Sequence, residues 1–291
     1  MEMQLIGMQL LSGAVLGAIL VMTALGFTII FGMLGVVNFA HGALFMIGAY
    51  AGVAIAEQTG SFWWALLVAP IAVGIIGLLI ERFLIRPLYN RPADDSILLT
   101  FGLGYVLVEG VRIVFGNDGI PFSTPSALVG VVNVGIGYFP IYRLFVIASV
   151  VLILVLLWVG LEKTKFGLIV RAGSRDPQIM RVLGVDMRKL WFIVFGIGVG
   201  LTALGGILAA PMRNVSPEMG TLVLAEAFVV TVIGGLGSIL GAVIAGVLVG
   251  VVVSLVSLFA PEMATISMFA LMALVLLYRP QGLFGKAAAG A

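Results

Sequence analysis

The sequence has no cysteine, one histidine and few charged residues, and each shortage excludes a class of protein. Without cysteine there can be no disulfide, no thiolate metal site and no cysteine nucleophile. Charged residues make up 10% of the 291 residues, whereas a soluble domain usually has about 25%. A soluble fold this poor in charge could not cover its surface with polar groups. The hydrophobic content of 62% therefore predicts a surface that faces lipid.

Catalytic groups are equally scarce. No pair of carboxylates lies at helical spacing within an apolar stretch, and no Gly-x-x-x-x-Gly-Lys-Ser/Thr sequence is present to hold nucleotide phosphates. We therefore expect a protein that moves a substrate rather than an enzyme, with no cofactor or metal bound by this chain. The net charge of +2 gives no reason to expect a nucleic-acid partner.

Long apolar stretches recur along the whole chain. Each is long enough to cross roughly 30 Å of hydrocarbon as a helix, and no polar stretch could form a separate soluble domain. The sequence predicts an all-α integral membrane protein, a polytopic bundle of about eight or nine transmembrane segments in one domain, residues 1–291. The predicted spans are 10–33, 40–57, 62–80, 97–115, 140–160, 190–210, 222–240, 241–259 and 263–278. The first is not preceded by basic residues or followed by a small-residue cleavage site, so we expect a retained helix rather than a signal peptide.

Two of these windows are ambiguous. The window 40–57 is rich in glycine and begins beside Asn38 and His41, so it either crosses the membrane or re-enters it. Within 222–259, the sequence Gly-Gly-Leu-Gly-Ser at 234–238 is either a turn between two helices or a break in one bent helix. The number of crossings depends on both.

Glycine is abundant, at 39 of 291 residues, against about 7% in ordinary proteins. Three pairs have a spacing of four residues, which lets two membrane helices approach closely: Gly48/Gly52, Gly196/Gly200 and Gly246/Gly250. The pairs predict tightly packed helices.

Basic residues indicate which loops face the cytoplasm, because Lys and Arg concentrate on that side. One cluster lies at 82–91, the largest at 163–189, and Arg279 and Lys286 follow the last window. If 40–57 crosses fully, all three clusters lie inside, the amino terminus lies outside and the carboxyl terminus lies inside. If 40–57 re-enters, the amino terminus lies inside.

Two segments are too polar to be buried in lipid. The outer segment, Gly116 to Tyr138, is predicted to be an extracytoplasmic loop. The inner segment, Leu161 to Leu190, is the longest polar stretch. Within it, Asp176 and Pro177 favour the start of a short helix, and Gly184 suits the left-handed residue that ends it. This basic helix is either a docking element for a cytoplasmic partner or only part of a positively charged loop.

Polar groups within apolar windows are costly, which makes them candidates for function. Asn38 and His41 are three residues apart, as on one helical face, with Phe45 a turn further. They either form the polar rim of a transport path or join helices by hydrogen bonds. Tyr50 and Thr100 leave the same two possibilities open.

The positions of the acidic residues give less reason to expect a functional role. Glu109 precedes Arg112 by three residues and is expected to pair with it, and Glu226 is expected to be an interfacial charge at the start of its span. No predicted span has an acidic residue at its centre, which argues against a carrier coupled to an ion gradient.

Several segments resemble one family of transport proteins. Leu34–Gly42, with the sequence Leu-Gly-Val-Val-Asn-Phe-Ala-His-Gly, and its continuation through Tyr50 resemble the signature of branched-chain amino acid ABC permeases of the LivH type. Similar matches follow in chain order over nearly the whole sequence, at 166–172, 181–185, 203–208, 232–238 and 278–284. Many relatives have Glu where this chain has Ala43, which leaves the substrate open.

The resemblance implies a permease of the bacterial inner membrane that imports branched-chain or related amino acids by alternating access. Its partners would be a second, similar permease, two cytoplasmic ABC ATPases that use the ATP, and a periplasmic substrate-binding protein. Coupling to the ATPases would involve Arg175, Asp176, Pro177, Gln178, Arg181, Leu183 and Gly184. The translocation path would involve Asn38, His41, Phe45, Tyr50, Thr100, Gly234, Gly235, Gly237 and Ser238.

Three alternatives remain. A permease of the same superfamily could carry urea, amides, aromatic acids or a sugar. A self-contained secondary carrier or channel would need no ATPase, which the long basic inner segment disfavours. A membrane-embedded enzyme lacks candidate catalytic groups.

Overall fold

The computed structural model describes residues 2–89 and 91–285, so Lys286 lies outside the described residues. Helices dominate this part of the chain, which confirms the predicted fold class. The helices are α1 Glu2–Leu34, α2 His41–Thr59, α3 Phe62–Ile80, α4 Ala93–Phe115, α5 Ile141–Lys163, α6 Lys165–Arg175, α7 Pro177–Val182, α8 Met187–Ala209, α9 Met219–Gly234, α10 Ile239–Phe259 and α11 Ala264–Tyr278. A π-helical turn, Glu81–Ile85, and a 3₁₀ turn, Arg86–Leu88, extend α3.

Seven helices of the described chain are long and apolar enough to cross a membrane: α1, α3, α4, α5, α8, α10 and α11 with the 3₁₀ turn before it. The other two apolar helices differ. α9 has only 16 residues, and α2 opens with His41 and ends near Glu57 and Gln58, which lowers its hydropathy. α2 is mostly buried among neighbouring helices, whereas α9 buries one face and leaves Leu222 and Phe228 exposed on the other.

α1, α2 and α8 are the most buried helices, so they lie at the centre of the bundle. In α1, 78% of the most apolar window is buried, against 11% in α4 and in α5. The central helices pack through the predicted glycine pairs: a Cβ on Gly48 would overlap the backbone of Ala203 in α8, and a Cβ on Gly250 in α10 would overlap Gly17 in α1. Small residues therefore let these backbones touch, as predicted.

The ends of the helices show which loops share a side. Arg143, at the start of α5, donates a hydrogen bond to Ser12 Oγ of α1 at 3.4 Å, so the amino end of α1 lies beside the outer segment. Met33, at the other end of α1, packs against Met180 and Met187 of the inner segment. This is the arrangement predicted for a chain whose amino terminus lies outside.

The segment 222–259 is two helices. α9 and α10 are joined by a turn in which Gly235 and Gly237 have φ of +99° and +81°, and Ser238 Oγ caps α10 by accepting from Gly241 N–H at 3.1 Å. The predicted boundary at residue 240 was wrong because the turn falls at 235–238. The predicted alternative of one bent helix is excluded.

The outer segment contains the only strands of the described chain. β1 Val131–Asn133 pairs antiparallel with β2 Tyr138–Pro140, after a 3₁₀ turn at Ser126–Leu128. Earlier in the same segment, Ile120 pairs with Val215 of the loop between α8 and α9. The outer segment is therefore a loop that short strand pairs hold in place.

Candidate functional site

The chain breaks between α1 and α2, at residues 35–40. Gly35 ends α1 with φ of +66°, and Asn38 turns the chain: its Oδ1 accepts from Ala40 N–H at 3.1 Å and its carbonyl from His41 N–H at 3.1 Å. Asn38 therefore precedes the helix, and the expectation that Asn38 and His41 share a helical face was wrong. The side-chain amide competes with the backbone for hydrogen bonds and favours a turn here.

His41 starts α2 inside the bundle rather than at its inner surface. Its side chain is fully buried, and Nε2–H donates to the Thr23 carbonyl of α1 at 2.8 Å. Thr202 Oγ1 of α8 lies 3.3 Å from Nε2, and the Phe27 ring meets the imidazole edge-on at 5.3 Å. One side chain thus joins α1, α2 and α8. α2 runs from the interior to the outer side, which is neither a full crossing from the inner surface nor a re-entrant hairpin.

Asn38 is the other buried polar group of the break. Its side chain is 2% exposed, and Nδ2 has no hydrogen-bond partner within the described residues. A buried donor without a partner costs about 1–3 kcal/mol. Such a group is uncommon in a native fold and calls for an explanation.

Thr100 attaches α4 to the break. Its Oγ1 accepts from Phe39 N–H at 3.1 Å and donates to the Ser96 carbonyl at 2.9 Å. Two further predicted residues, Phe45 and Tyr50, are buried on α2. Tyr50 O–H donates to the Val215 carbonyl at 3.4 Å, so the structure brings five of the predicted path residues to one helix and its surroundings.

The first turns of α2 and α9 meet in the interior. A Cβ on Gly42 would overlap the Gly220 carbonyl, so the two helices touch backbone to backbone where they begin. Beside this contact lies a cleft of about 170 Å³ that extends along α4. Its lining, which we call the α2–α4–α9 cleft, consists of Phe39, Ala43, Phe101, Gly104, Tyr105, Val108, Glu109, Arg112, Pro217, Glu218, Gly220, Thr221 and Leu224.

One end of the α2–α4–α9 cleft is charged. Arg112 donates to Glu109 at 2.6 Å, as predicted, and also to Glu218 at 3.0 Å. A backbone N–H and the Arg112 guanidinium lower the pKa of Glu218. Sequence reasoning missed Glu218 because its partner is 106 residues away and no local pattern joins them.

Glu226 lies in the middle of α9, not at the start of a span. Its carboxylate accepts from Arg213 at 3.2 and 3.3 Å. The expectation that no helix has a central acidic residue was therefore wrong, because α9 begins at Met219 rather than at 222. The ion pair neutralises the carboxylate, and both side chains remain partly exposed.

The predicted path residues at 234–238 lie elsewhere, at the inner end of the bundle. Leu283 N–H donates to the Ile233 carbonyl at 2.8 Å and Phe284 N–H to the Gly234 carbonyl at 3.0 Å. The carboxyl-terminal tail thus covers this turn. None of these residues lines the α2–α4–α9 cleft.

The short helix of the inner segment forms where its sequence predicts, whereas the helix before it, α6, was not predicted. Asp176 Oδ1 accepts from the N–H groups of Gln178 and Ile179, both at 2.9 Å, and starts α7. Gly184 follows the helix with φ of +85°, and Val185 N–H returns to the Met180 carbonyl at 3.0 Å. These are the contacts of a capped helix at both ends.

α7 presents apolar side chains outward. Val182 is 87% exposed and Leu183 70%, while Met180 is buried and holds the helix on the bundle. Arg175, Gln178 and Arg181 are also exposed. An apolar tip flanked by cations, on a helix of six residues, is typical of a surface that a partner covers.

The chain is similar to known transport proteins over nearly its whole length. Residues 9–276 match the model of a family described as branched-chain amino acid transport system / permease component. The chain is 30% identical to the high-affinity branched-chain amino acid transport system permease protein LivH of Escherichia coli K12, over 96% of this chain and 95% of that protein. It is 27% identical to the corresponding permease protein LivM of the same organism, over 93% and 68%. Among solved structures, PsaBC from Streptococcus pneumoniae in complex with Fab is similar with a TM-score of 0.50 at 14% identity, over 92% of this chain and 89% of that one, which shows a shared fold.

Proposed function

The chain belongs to the family of branched-chain amino acid transport system permeases, membrane subunits of ATP-driven importers, and from this premise we propose that it imports branched-chain or related amino acids by alternating access. It is a multi-pass membrane protein, and we place it in the bacterial inner membrane. The whole chain acts as one permease domain, and residues 161–190 are its coupling loop. The chain itself catalyses no reaction and binds no cofactor; partner subunits use the ATP.

The proposed assembly contains a second homologous permease, two cytoplasmic ABC ATPases and a periplasmic substrate-binding protein. The similarity of this one chain to both LivH and LivM supports pairing between two permeases of the same fold. The short, exposed helix α7 supports the proposed ATPase contact, because Val182 and Leu183 would otherwise leave apolar surface in water. This exposed tip on a capped helix is the observation that carries the assignment.

The same helix gives a mechanism for coupling. Met180 belongs to one buried cluster with Met33 of α1 and Met187 of α8, so movement of α7 would be passed through this cluster to the two central helices. Movement of α1 and α8 then changes the packing around His41, where both meet α2. ATP binding in the partner would in this way be transmitted to the interior break.

The α2–α4–α9 cleft is the proposed path within this chain. Its walls are apolar at Phe101 and Leu224, which suits an aliphatic side chain, and its outer end has both signs of charge at Arg112 and Glu218, which suits a zwitterion. Asn38, whose Nδ2 has no partner in the described residues, directly precedes Phe39, which lines the cleft. A second permease would complete the enclosure.

Reconstitution tests the proposal. The permease pair, the ATPases and the binding protein are placed in proteoliposomes, and uptake of radiolabelled leucine is measured with and without ATP inside. We expect uptake only with both ATP and the binding protein. Leucine uptake driven by a proton or sodium gradient without ATP would contradict the proposal.

Two comparisons complete this experiment. Glu226→Gln should keep ATP-driven uptake, because the carboxylate is already neutralised by Arg213; abolition of uptake by this variant together with dependence on an ion gradient would indicate a secondary carrier. A thermal-shift screen of the binding protein against amino acids, urea, short amides, aromatic acids and sugars distinguishes the substrate classes. Stabilisation by leucine, isoleucine or valine is the expected result.

A further inference from the structure

Two neighbouring cavities lie near the inner ends of α3 and α8, away from the α2–α4–α9 cleft. The first, which we call the basic pocket, has a volume of about 610 Å³ and lies between the turns after α3 and the start of α8. The second, which we call the glycine groove, has about 410 Å³ and lies between α3 and α8 themselves. Leu78 of α3 lines the groove and Arg82, four residues later, lines the pocket, so the two cavities are neighbours along the chain.

The basic pocket has an excess of positive charge. It is lined by Arg82, Arg86, Arg181 and Arg188 and by one acidic residue, Asp186. Arg82, Arg181 and Arg188 make no ion pair within residues 2–89 and 91–285. Clustered unpaired cations in a cavity at the cytoplasmic side of a membrane protein are suited to a phosphate group.

A buried carboxylate binds two residues that line this pocket. Glu81 is fully buried and accepts from Arg86 at 2.8 Å and from Tyr89 O–H at 2.5 Å. Burial and this hydrogen bond raise the pKa of Tyr89, so the phenol stays a donor. The arrangement orients the turns after α3 and neutralises Arg86, which leaves the other three arginines as the free charge.

Aromatic rings form one wall. Trp191 lies edge-on to Tyr89 at 4.7 Å and under the Arg181 guanidinium at 5.5 Å. Its indole Nε1 is buried without a partner in the described part of the chain. Tryptophan of this kind is typical of the interface between water and lipid, where the ring is apolar and the N–H meets a polar group.

The glycine groove is apolar and opens to the lipid side. Gly74, Gly196 and Gly200 leave it without side chains along its floor, and its rim is formed by exposed Ile71 and Ile75. The Arg86 guanidinium lies 5.4 Å from the Phe192 ring, which lines the groove, so charge and apolar wall are in contact.

We propose that the basic pocket and the glycine groove together bind one anionic phospholipid, with the phosphate among Arg82, Arg181 and Arg188 and an acyl chain against Gly74, Gly196 and Gly200. The positive charge of the pocket favours an anionic headgroup. The apolar groove favours a lipid over a soluble phosphate, because a soluble phosphate has no acyl chain to bury there. An ATPase domain could reach the basic pocket but not a groove at the depth of the membrane-spanning part of α3. The bound lipid would tie Arg181 of α7 to the turns after α3 and so steady the coupling helix.

Lipid titration of the delipidated full chain in detergent tests this, with binding followed by native mass spectrometry. The probes are palmitoyl-oleoyl phosphatidylglycerol, the matching phosphatidylcholine and glycerol phosphate. We expect phosphatidylglycerol to bind at least tenfold more tightly than either. Equal binding of phosphatidylcholine, or of glycerol phosphate, would overturn the proposal.

Variants locate the site. Arg82→Gln and Arg188→Gln change exposed residues without ion pairs, and each should weaken phosphatidylglycerol binding roughly fivefold. Arg91→Gln is the matched control, since Arg91 lies in the same loop as Arg82 but outside the pocket, and should have no effect. Unchanged lipid binding in Arg82→Gln and Arg188→Gln, with loss of the co-purifying ATPases, would assign the pocket to ATPase docking instead.

The groove is tested separately. Ile193→Trp, at the edge of the groove and 44% exposed, should obstruct the acyl chain and weaken phosphatidylglycerol binding while leaving glycerol phosphate unaffected. If it dissociates the permease pair with lipid binding unchanged, the groove holds a helix of the second permease and the proposal fails. A thermal melt of each variant confirms that it folds.

Discussion

The interior break around His41 and the inner segment around α7 both carry polar residues in an apolar protein, but they use them in opposite ways. In the inner segment, Asp176 and Gly184 satisfy backbone groups two or three residues away, and Val182 and Leu183 are exposed beside cationic side chains. In the break, His41 bonds to a residue 18 positions away and to another 161 positions away. Local polar groups therefore cap a short exposed helix, whereas long-range polar groups join the central helices to one another.

The largest expected effect comes from the apolar tip of α7. Replacing Val182 and Leu183 together by Asp should abolish co-purification of the ATPases, because an apolar contact would have to bury two charges. Both side chains are exposed, so insertion and thermal stability should stay unchanged. Leu236→Asp, an exposed apolar residue on the same side but outside α7, is the control. Retained ATPases in the double variant would remove α7 from the docking surface.

The next effect tests the interior side of the comparison. His41→Ala should destabilise the bundle by about 3 kcal/mol, because it leaves a cavity and unpairs the Thr23 carbonyl. Thermal unfolding in detergent measures this, with Thr59→Ala, an exposed helix-end residue, as the control. An unchanged melting temperature would mean that His41 does not join the three helices.

A substitution of Asn38 is expected to affect transport more than stability. Asn38→Leu removes an amide donor that has no partner but also the bond to Ala40 N–H, so we expect a loss of only about 1 kcal/mol of stability. If the free amide contacts substrate or moves with the path, ATP-driven leucine uptake should fall at least tenfold. Uptake equal to that of the parent chain would exclude Asn38 from the path.

The smallest effect belongs to the end of α7. Gly184→Val forces a β-branched residue into left-handed backbone at φ of +85°, which costs roughly 1–2 kcal/mol. Nothing lies within contact distance of its added Cβ, so the strain stays local and should weaken ATPase binding without unfolding the bundle. Gly60→Val, with φ of +66° at the outer side, should be equally strained but leave ATPase binding intact. Equal loss in both variants would make the effect one of general stability.

Helix ends and ion pairs between residues close in the sequence could be predicted from the sequence. The start of α7 at Pro177 and its end before Gly184 follow from caps whose partners are within five residues. The α3 span agrees with its predicted bounds, 62–80, because Ser61 and Glu81 mark abrupt changes of polarity. The Glu109–Arg112 pair was found for the same reason, since helical spacing alone brings the two together.

Features that depend on distant residues could not be read in this way. The second partner of Arg112, Glu218, comes from another helix start, and the position of Glu226 was misjudged because an apolar window does not show where within it a helix begins. The depth of α2 was also hidden. Hydropathy indicates that a segment is apolar enough to be buried, but it does not distinguish burial in lipid from burial among helices.

Composition and charge by themselves determined that the chain is a membrane bundle and predicted which loops share the inner side, and local motifs predicted a capped helix within the inner segment. Composition and charge are totals over the residues, and a helix cap joins residues close together in the sequence. Both can therefore be predicted without knowledge of the fold. Only the tertiary structure decided that α2 and α9 start in contact inside the bundle, that Asn38 keeps an unpaired amide, and that arginines from two loops surround one pocket. The reason is that polar groups at membrane depth must find partners wherever the fold brings them, and helix packing chooses those partners from anywhere along the chain.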